Sequence, residues 1–165
     1  MRDVFVRRHP RKIQTPEQRV HAAERTLRRI GGTHDDLDAI CYVVASPDDS
    51  QVLPPDEDGF RAGHCSVVNI EPADLNDTVQ AATTLQHEAA HTRQIRDSGQ
   101  AGISTKAEIA AHRDTIRFLR DWRVMEKGDR LVWCTEHKQH EAIRSRIDEV
   151  IAEEEESVRV LRREG

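Results

Sequence analysis

Between residues 136 and 163 the apolar residues Ile143, Ile147, Val150, Ile151, Val158 and Leu161 recur at three- and four-residue spacing. That is the period of an α-helix with one apolar stripe, so the interval reads as a single long helix. Such a helix must lay its stripe across the rest of the chain or against a partner. The acidic block Glu153 to Glu156 inside it reads as a solvated face rather than an interaction tail.

Upstream, Thr15-Pro16-Glu17-Gln18 is a helix start, with Thr15 as cap, Pro16 in the first turn and Gln18 completing a capping box. The helix runs to about Ile30, where Gly31-Gly32 stops it. Ala39 to Val44 and His64 to Ile70 are short β-branched runs and read as strands, with a further short strand at Gln51-Val52-Leu53. Asp74 or Asp77 can cap a helix that continues to about Asp97 and ends at Ser98-Gly99. Ser104 can cap another, from Thr105 to about Trp122. Leu131 to Cys134 is apolar but of open type. The resulting expectation is an α+β fold. A small mixed or antiparallel sheet packs against the helices at 16–30, 74–97 and 105–122, in a domain of residues 1–135. The C-terminal helix of 136–165 packs on that same domain.

Composition narrows the function. Charged residues make up 33% of the chain, so the surface is heavily charged and the core modest. Aromatics are 4% and the net charge is −5, which argues against a nucleic-acid or anionic-membrane partner. The three cysteines, Cys41, Cys65 and Cys134, form no disulfide framework and suit a reducing compartment. The N-terminal MRDVFVRRHPRK lacks the apolar core of a signal peptide, and no segment approaches a membrane span. A cytoplasmic protein is expected, with export by a specialised machine left open.

The chemistry lies in TLQHEAAHTRQ, residues 83 to 93. On a helix, His87 and His91 stand one above the other, four residues apart, and can present two ring nitrogens to one zinc ion. Glu88 projects about 100° round the helix, beside such an ion rather than onto it. This is the HExxH arrangement of metal-dependent peptidases. Small Ala89 and Ala90 let a neighbouring element approach closely.

A catalytic zinc needs a third protein ligand. On the next helix Glu108, His112, Ile116, Leu119 and Trp122 share one stripe whose lower half is apolar. An acid and a histidine on an inward stripe must be paired or bound to metal. Glu108 is the preferred ligand, with His112, Asp97, Asp114 and Cys65 as rivals. Cys41 and Cys134 read as ordinary buried thiols.

His87-Glu88-Ala89-Ala90-His91, followed seventeen residues later by Glu108 on a second helix, resembles the gluzincin branch of the zincin metallopeptidases. The resemblance covers about residues 64 to 122. It implies zinc held by His87, His91 and Glu108, and Glu88 as the general base that activates water for attack on a peptide bond. It also makes the strand at 64–70 the sheet edge that pairs with an extended substrate. Thermolysin-like members carry an acid four residues after the ligand Glu; here that position is His112, which could orient a ligand, take Glu108's place or assist catalysis. A faint likeness of Gly63-His64-Cys65-Ser66 to peptide deformylases supports Cys65 as the rival ligand. Candidate oxyanion donors are His112, Arg113, Tyr42 and His64. The expected substrate is a protein or peptide. The competing expectation is a helical interaction or regulatory protein that binds a partner through its C-terminal helix, with the HExxH structural or degenerate.

Overall fold

Asp77 opens the helix that carries the motif. Its backbone is extended (φ −130°, ψ 157°) and its Oδ1 accepts a hydrogen bond from the Gln80 amide at 2.7 Å. One of the orphan amides of the first turn is thereby satisfied. After twenty-one helical residues Gly99 closes the helix in the left-handed region at φ 65°, its amide donating to the Ile95 carbonyl at 2.8 Å. The computed structural model describes the backbone of residues 16–30, 40–44, 51–53, 66–70, 77–99, 104–125 and 134–164, and side chains at 18, 21–30, 77–99, 104–125 and 140–164. Four helices result: α1 (Pro16–Ile30), α2 (Thr78–Ser98), α3 (Thr105–Met125) and α4 (Cys134–Glu164).

Each helix forms for local reasons. Along α1, Glu24 takes two hydrogen bonds from Arg28 four residues on, at 3.2 and 2.9 Å, the favourable order of charges on a helix. Ser104 caps α3: its Oγ accepts from the Ala107 amide and its carbonyl from the Glu108 amide. Arg146 of α4 reaches the start of α2, donating to Asp77 Oδ2 at 3.2 Å and Gln80 Oε1 at 3.3 Å.

The core is helix on helix. Ala23 and Leu27 of α1, Leu85 and Ala89 of α2, Leu119 and Trp122 of α3, and Ile147 and Val150 of α4 belong to one buried cluster. Burial along α2 includes Val79, Leu85, Gln86, Glu88, Ala90, His91 and Thr92, which cover nearly its whole circumference. The motif helix is therefore central, with α1, α3 and α4 packed around it.

The expected α+β class is overturned. Residues described with side chains contain four helices and no strand, so the fold is all-α. The physical reason is that the apolar stripes of the described helices bury one another in one cluster, so helix-on-helix packing sets the class. The short β-branched runs pair as a backbone patch, β1 (Ile40–Val44), β2 (Gln51–Leu53) and β3 (Ser66–Ile70), in the order β1-β3-β2. Their side chains lie outside the described residues, and the patch does not set the fold class. Its order also removes a second expectation. β3 runs parallel to β1 on one side and antiparallel to β2 on the other, so it is not an edge that a substrate could extend.

Element limits shift slightly. Asp77 rather than Asp74 is the cap of α2, α3 continues to Met125, and α4 begins at Cys134. The caps expected at Thr15 and Gly31, and Leu131 to Trp133, lie outside the described residues. No helix among the described residues is long and apolar enough to cross a membrane.

Leu119 is fully buried at the junction of these helices. Leu119→Ala is expected to lower the unfolding free energy by about 2–5 kcal/mol in a denaturant titration. Gly99→Ala meets no neighbouring atom but must hold a left-handed backbone. It is expected to cost about 1–2 kcal/mol in the same titration; a neutral result would show that the α2 terminus rearranges.

Candidate metal centre

Two turns of helix and one carboxylate make the site. His87 Nε2 and His91 Nε2 lie 2.9 Å apart on α2. Glu108 Oε2, from the first turn of α3, is 3.3 Å from the former and 3.4 Å from the latter. Tetrahedral zinc takes nitrogen and oxygen ligands at about 2.0–2.2 Å, which places those ligands about 3.3–3.6 Å from one another. Both edges to Glu108 have that length and the His–His edge is a little short, so the three atoms are spaced for one small divalent ion. His87, Glu108 and His112 form an overlapping group, one ligand atom from each lying within 4.8 Å of the others.

Small buried residues bring the donors together. Ala89 and Ala90 follow Glu88 on α2, and Ala111 lies between Glu108 and His112 on α3; all three are buried. Arg93 of α2 pairs with Asp114 of α3, which sets the two helices against each other one turn further along. The expected stripe on α3 is present: Ile116, Leu119 and Trp122 are buried, while Glu108 and His112 are half-buried at its upper end.

Hydrogen bonds fix the histidine that lies deepest. Gln94 Nε2 donates to the Ala107 carbonyl at 3.0 Å, so its Oε1 is the atom 2.9 Å from His91 Nδ1. An amide oxygen only accepts, so Nδ1 carries the hydrogen and the neutral ring keeps its Nε2 lone pair for a metal. Burial disfavours the charged His91 ring, but the hydrogen bonds that Glu108 and Gln94 accept from it and the charges of Glu108 and Glu88 outweigh burial and raise its pKa above the ordinary 6.5. The hydrogen bonds of His87 and His91 hold the Glu108 carboxyl far below its usual range. Glu88 is 5% exposed and near enough to His91 to act on its charge, yet it stands outside the ligand trio.

His112 sits on the solvent side of the trio. Its ring is 4.6 Å from that of His87, and its Nδ1 is 2.6 Å from Glu154 Oε2 on α4. A groove of about 610 Å³ opens from Glu108 and His112 along α4 toward Val160 and Leu161.

The structure separates the other candidates. Asp97 is exposed beside Arg96, and Asp114 is held by Arg93 and Arg117, so neither joins the trio. Arg113 is exposed. Tyr42, His64, Cys41, Cys65 and Cys134 have side chains outside the described residues. Two participants escaped the sequence reading. Gln94 is three residues from His91 on the same face. Glu154 corrects the reading of the acidic block as one solvated face: it occupies the inward position between Val150 and Val158 in the apolar stripe of α4, and that interruption was the available signal.

A scan against protein-family models finds no match, and no curated protein or solved structure matches the chain significantly.

The charge pattern makes the metal-free fold pH-dependent. A raised His91 pKa stabilises fully below about pH 6.5 and is lost as pH climbs through the folded value. A lowered Glu108 pKa stabilises above about pH 4.5 and is lost as pH falls toward the folded value. Metal-free protein is expected to melt highest between about pH 4.5 and 6.5. Zinc needs neutral imidazoles, so its stabilising effect should grow from pH 5 to pH 7.5. Equal shifts in Tm at both pH values would count against ligation by these side chains.

Proposed function

We propose that the chain is a zinc-dependent hydrolase that cleaves peptide bonds in a protein or peptide, with the ion held by His87, His91 and Glu108 and with Glu88 as general base. The observation that carries this reading is the convergence of three ligand atoms beside a buried carboxylate, at the mouth of a groove. Two imidazoles and one carboxylate are a donor set that suits zinc and leaves a position for water or substrate. A cation held there supplies Lewis acidity to the scissile carbonyl and acidifies the attacking water.

The chain's own residues do the rest. Glu88 takes a proton from the attacking water and passes it to the leaving amine. In its imidazolium form, His112 donates through Nδ1 to Glu154 and has an Nε2–H to offer the carbonyl oxygen as negative charge develops on it. Gln94 keeps His91 in the ligating tautomer. Support for the zincin likeness is confined to the motif helix and Glu108 and does not extend to the all-α fold. The spacing of the cysteines suits a reducing, cytoplasmic setting.

A second reading has its own observation. His112 lies within ligand reach of His87 and Glu108, so a fourth protein ligand could close the site into a structural staple between α2 and α3. The expectation that α4 serves chiefly to bind a partner loses weight, because Ile147, Val150 and Val158 are buried against the chain's own helices.

Glu88→Gln is expected to retain one zinc per chain and lose about 10²–10⁴-fold in peptide hydrolysis. His87→Ala is expected to lose the metal, read by elemental analysis of the purified protein. His112→Ala separates the two readings. An open catalytic site keeps its zinc affinity and loses kcat, whereas a closed site loses zinc affinity by about 10–100-fold or more.

A further inference from the structure

The groove beside the metal ligands has a chemistry of its own. Beyond Glu108 and His112 it is lined by Glu153, Glu156 and Ser157, then by Val160 and Leu161. Among the described residues no lysine or arginine lines it. Val160 is a large apolar side chain left 39% exposed. Ser157 Oγ is engaged with the Glu153 carbonyl at 3.2 Å. The two glutamates are more than half exposed along their side chains, and their partners are surface arginines outside the lining. Arg146 reaches Glu153 at 3.4 Å, the longest of its contacts, and is also held by Asp77 and Glu149. Arg159 meets Glu156 at 3.0 Å as an exposed pair three residues along the same helix, a type of pair that yields easily to a competing cation.

Such a surface selects for shape and charge together. An apolar floor at one end and carboxylates along the side suit a long aliphatic stem with a positive head. We infer that the groove binds a peptide segment through a lysine or arginine whose stem lies on Val160 and Leu161 and whose head faces Glu153 and Glu156. The inference rests on the hydrolase reading for its meaning, though not for its test.

The test uses zinc-loaded full-length Glu88→Gln protein, so that binding is measured without turnover. Three fluorescein-labelled decapeptides are compared, identical except for a central Lys, norleucine or Glu. The Lys peptide is expected to bind about fivefold tighter than the norleucine peptide and tighter still than the Glu peptide, with the preference shrinking at high salt. Glu153→Gln/Glu156→Gln, at exposed positions that spare the fold, should bring Lys and norleucine within about twofold. Equal binding of the three peptides, or a Lys preference that survives the double substitution, overturns the inference. If the preference holds while the parent protein cleaves none of the peptides, the hydrolase reading fails and the binding groove stands. If the parent cleaves all three equally, the hydrolase reading stands and the charge selection fails.

Discussion

The carboxylate of Glu108 set against the imidazoles of His87 and His91 is the contact on which the rest of the arrangement turns. The two rings come from the middle of one helix and the carboxylate from the first turn of the next, seventeen residues after His91. Holding them together requires α2 and α3 to approach closely, which the alanines at 89, 90 and 111 permit. It also requires the donors to be desolvated, and partly buried polar groups persist only when something compensates them. Without an ion, protons shared between carboxylate and rings supply that compensation. An ion held there would draw on the same lone pairs, so metal and protons would compete for them.

From that contact the organisation spreads outward in shells. Gln94 ties the His91 ring to the backbone at Ala107, beside the residue that carries the carboxylate. Glu154 ties His112 to α4, so the C-terminal helix is part of the site rather than an appendage. Further pairs, Arg93 with Asp114 and Arg123 with Asp148, lock the helices in register along their exposed sides. The central helix carries the chemistry because it is buried on nearly every side, which gives the motif the rigidity that positioning demands.

What fails to transfer from the motif is the fold around it. An HExxH turn constrains one turn of helix and the identity of its neighbours, and it places no demand on what covers the other faces. Here the covering elements are chiefly helices, whose apolar stripes bury one another in one cluster, and β2 and β3 also lie against α2. β3, expected to receive a substrate strand, has a strand on each side. A groove along α4 begins at Glu108 and His112.

By itself the sequence determined the helices and their inward faces, because helical period, caps and glycine stops are local properties. Asp77, Gly99 and Ser104 act where local chemistry says they should. It also placed His87, Glu88 and His91 on adjacent positions of one turn, and put Glu108 and His112 at the head of an inward stripe. Only the tertiary structure decided that Glu108 meets both histidines, that Glu154 breaks the acidic face to hold His112, and that the motif helix is covered mainly by helices. Those outcomes depend on which stripe lies against which, and that choice is settled by contacts between residues distant in sequence, where single-helix periodicity is silent.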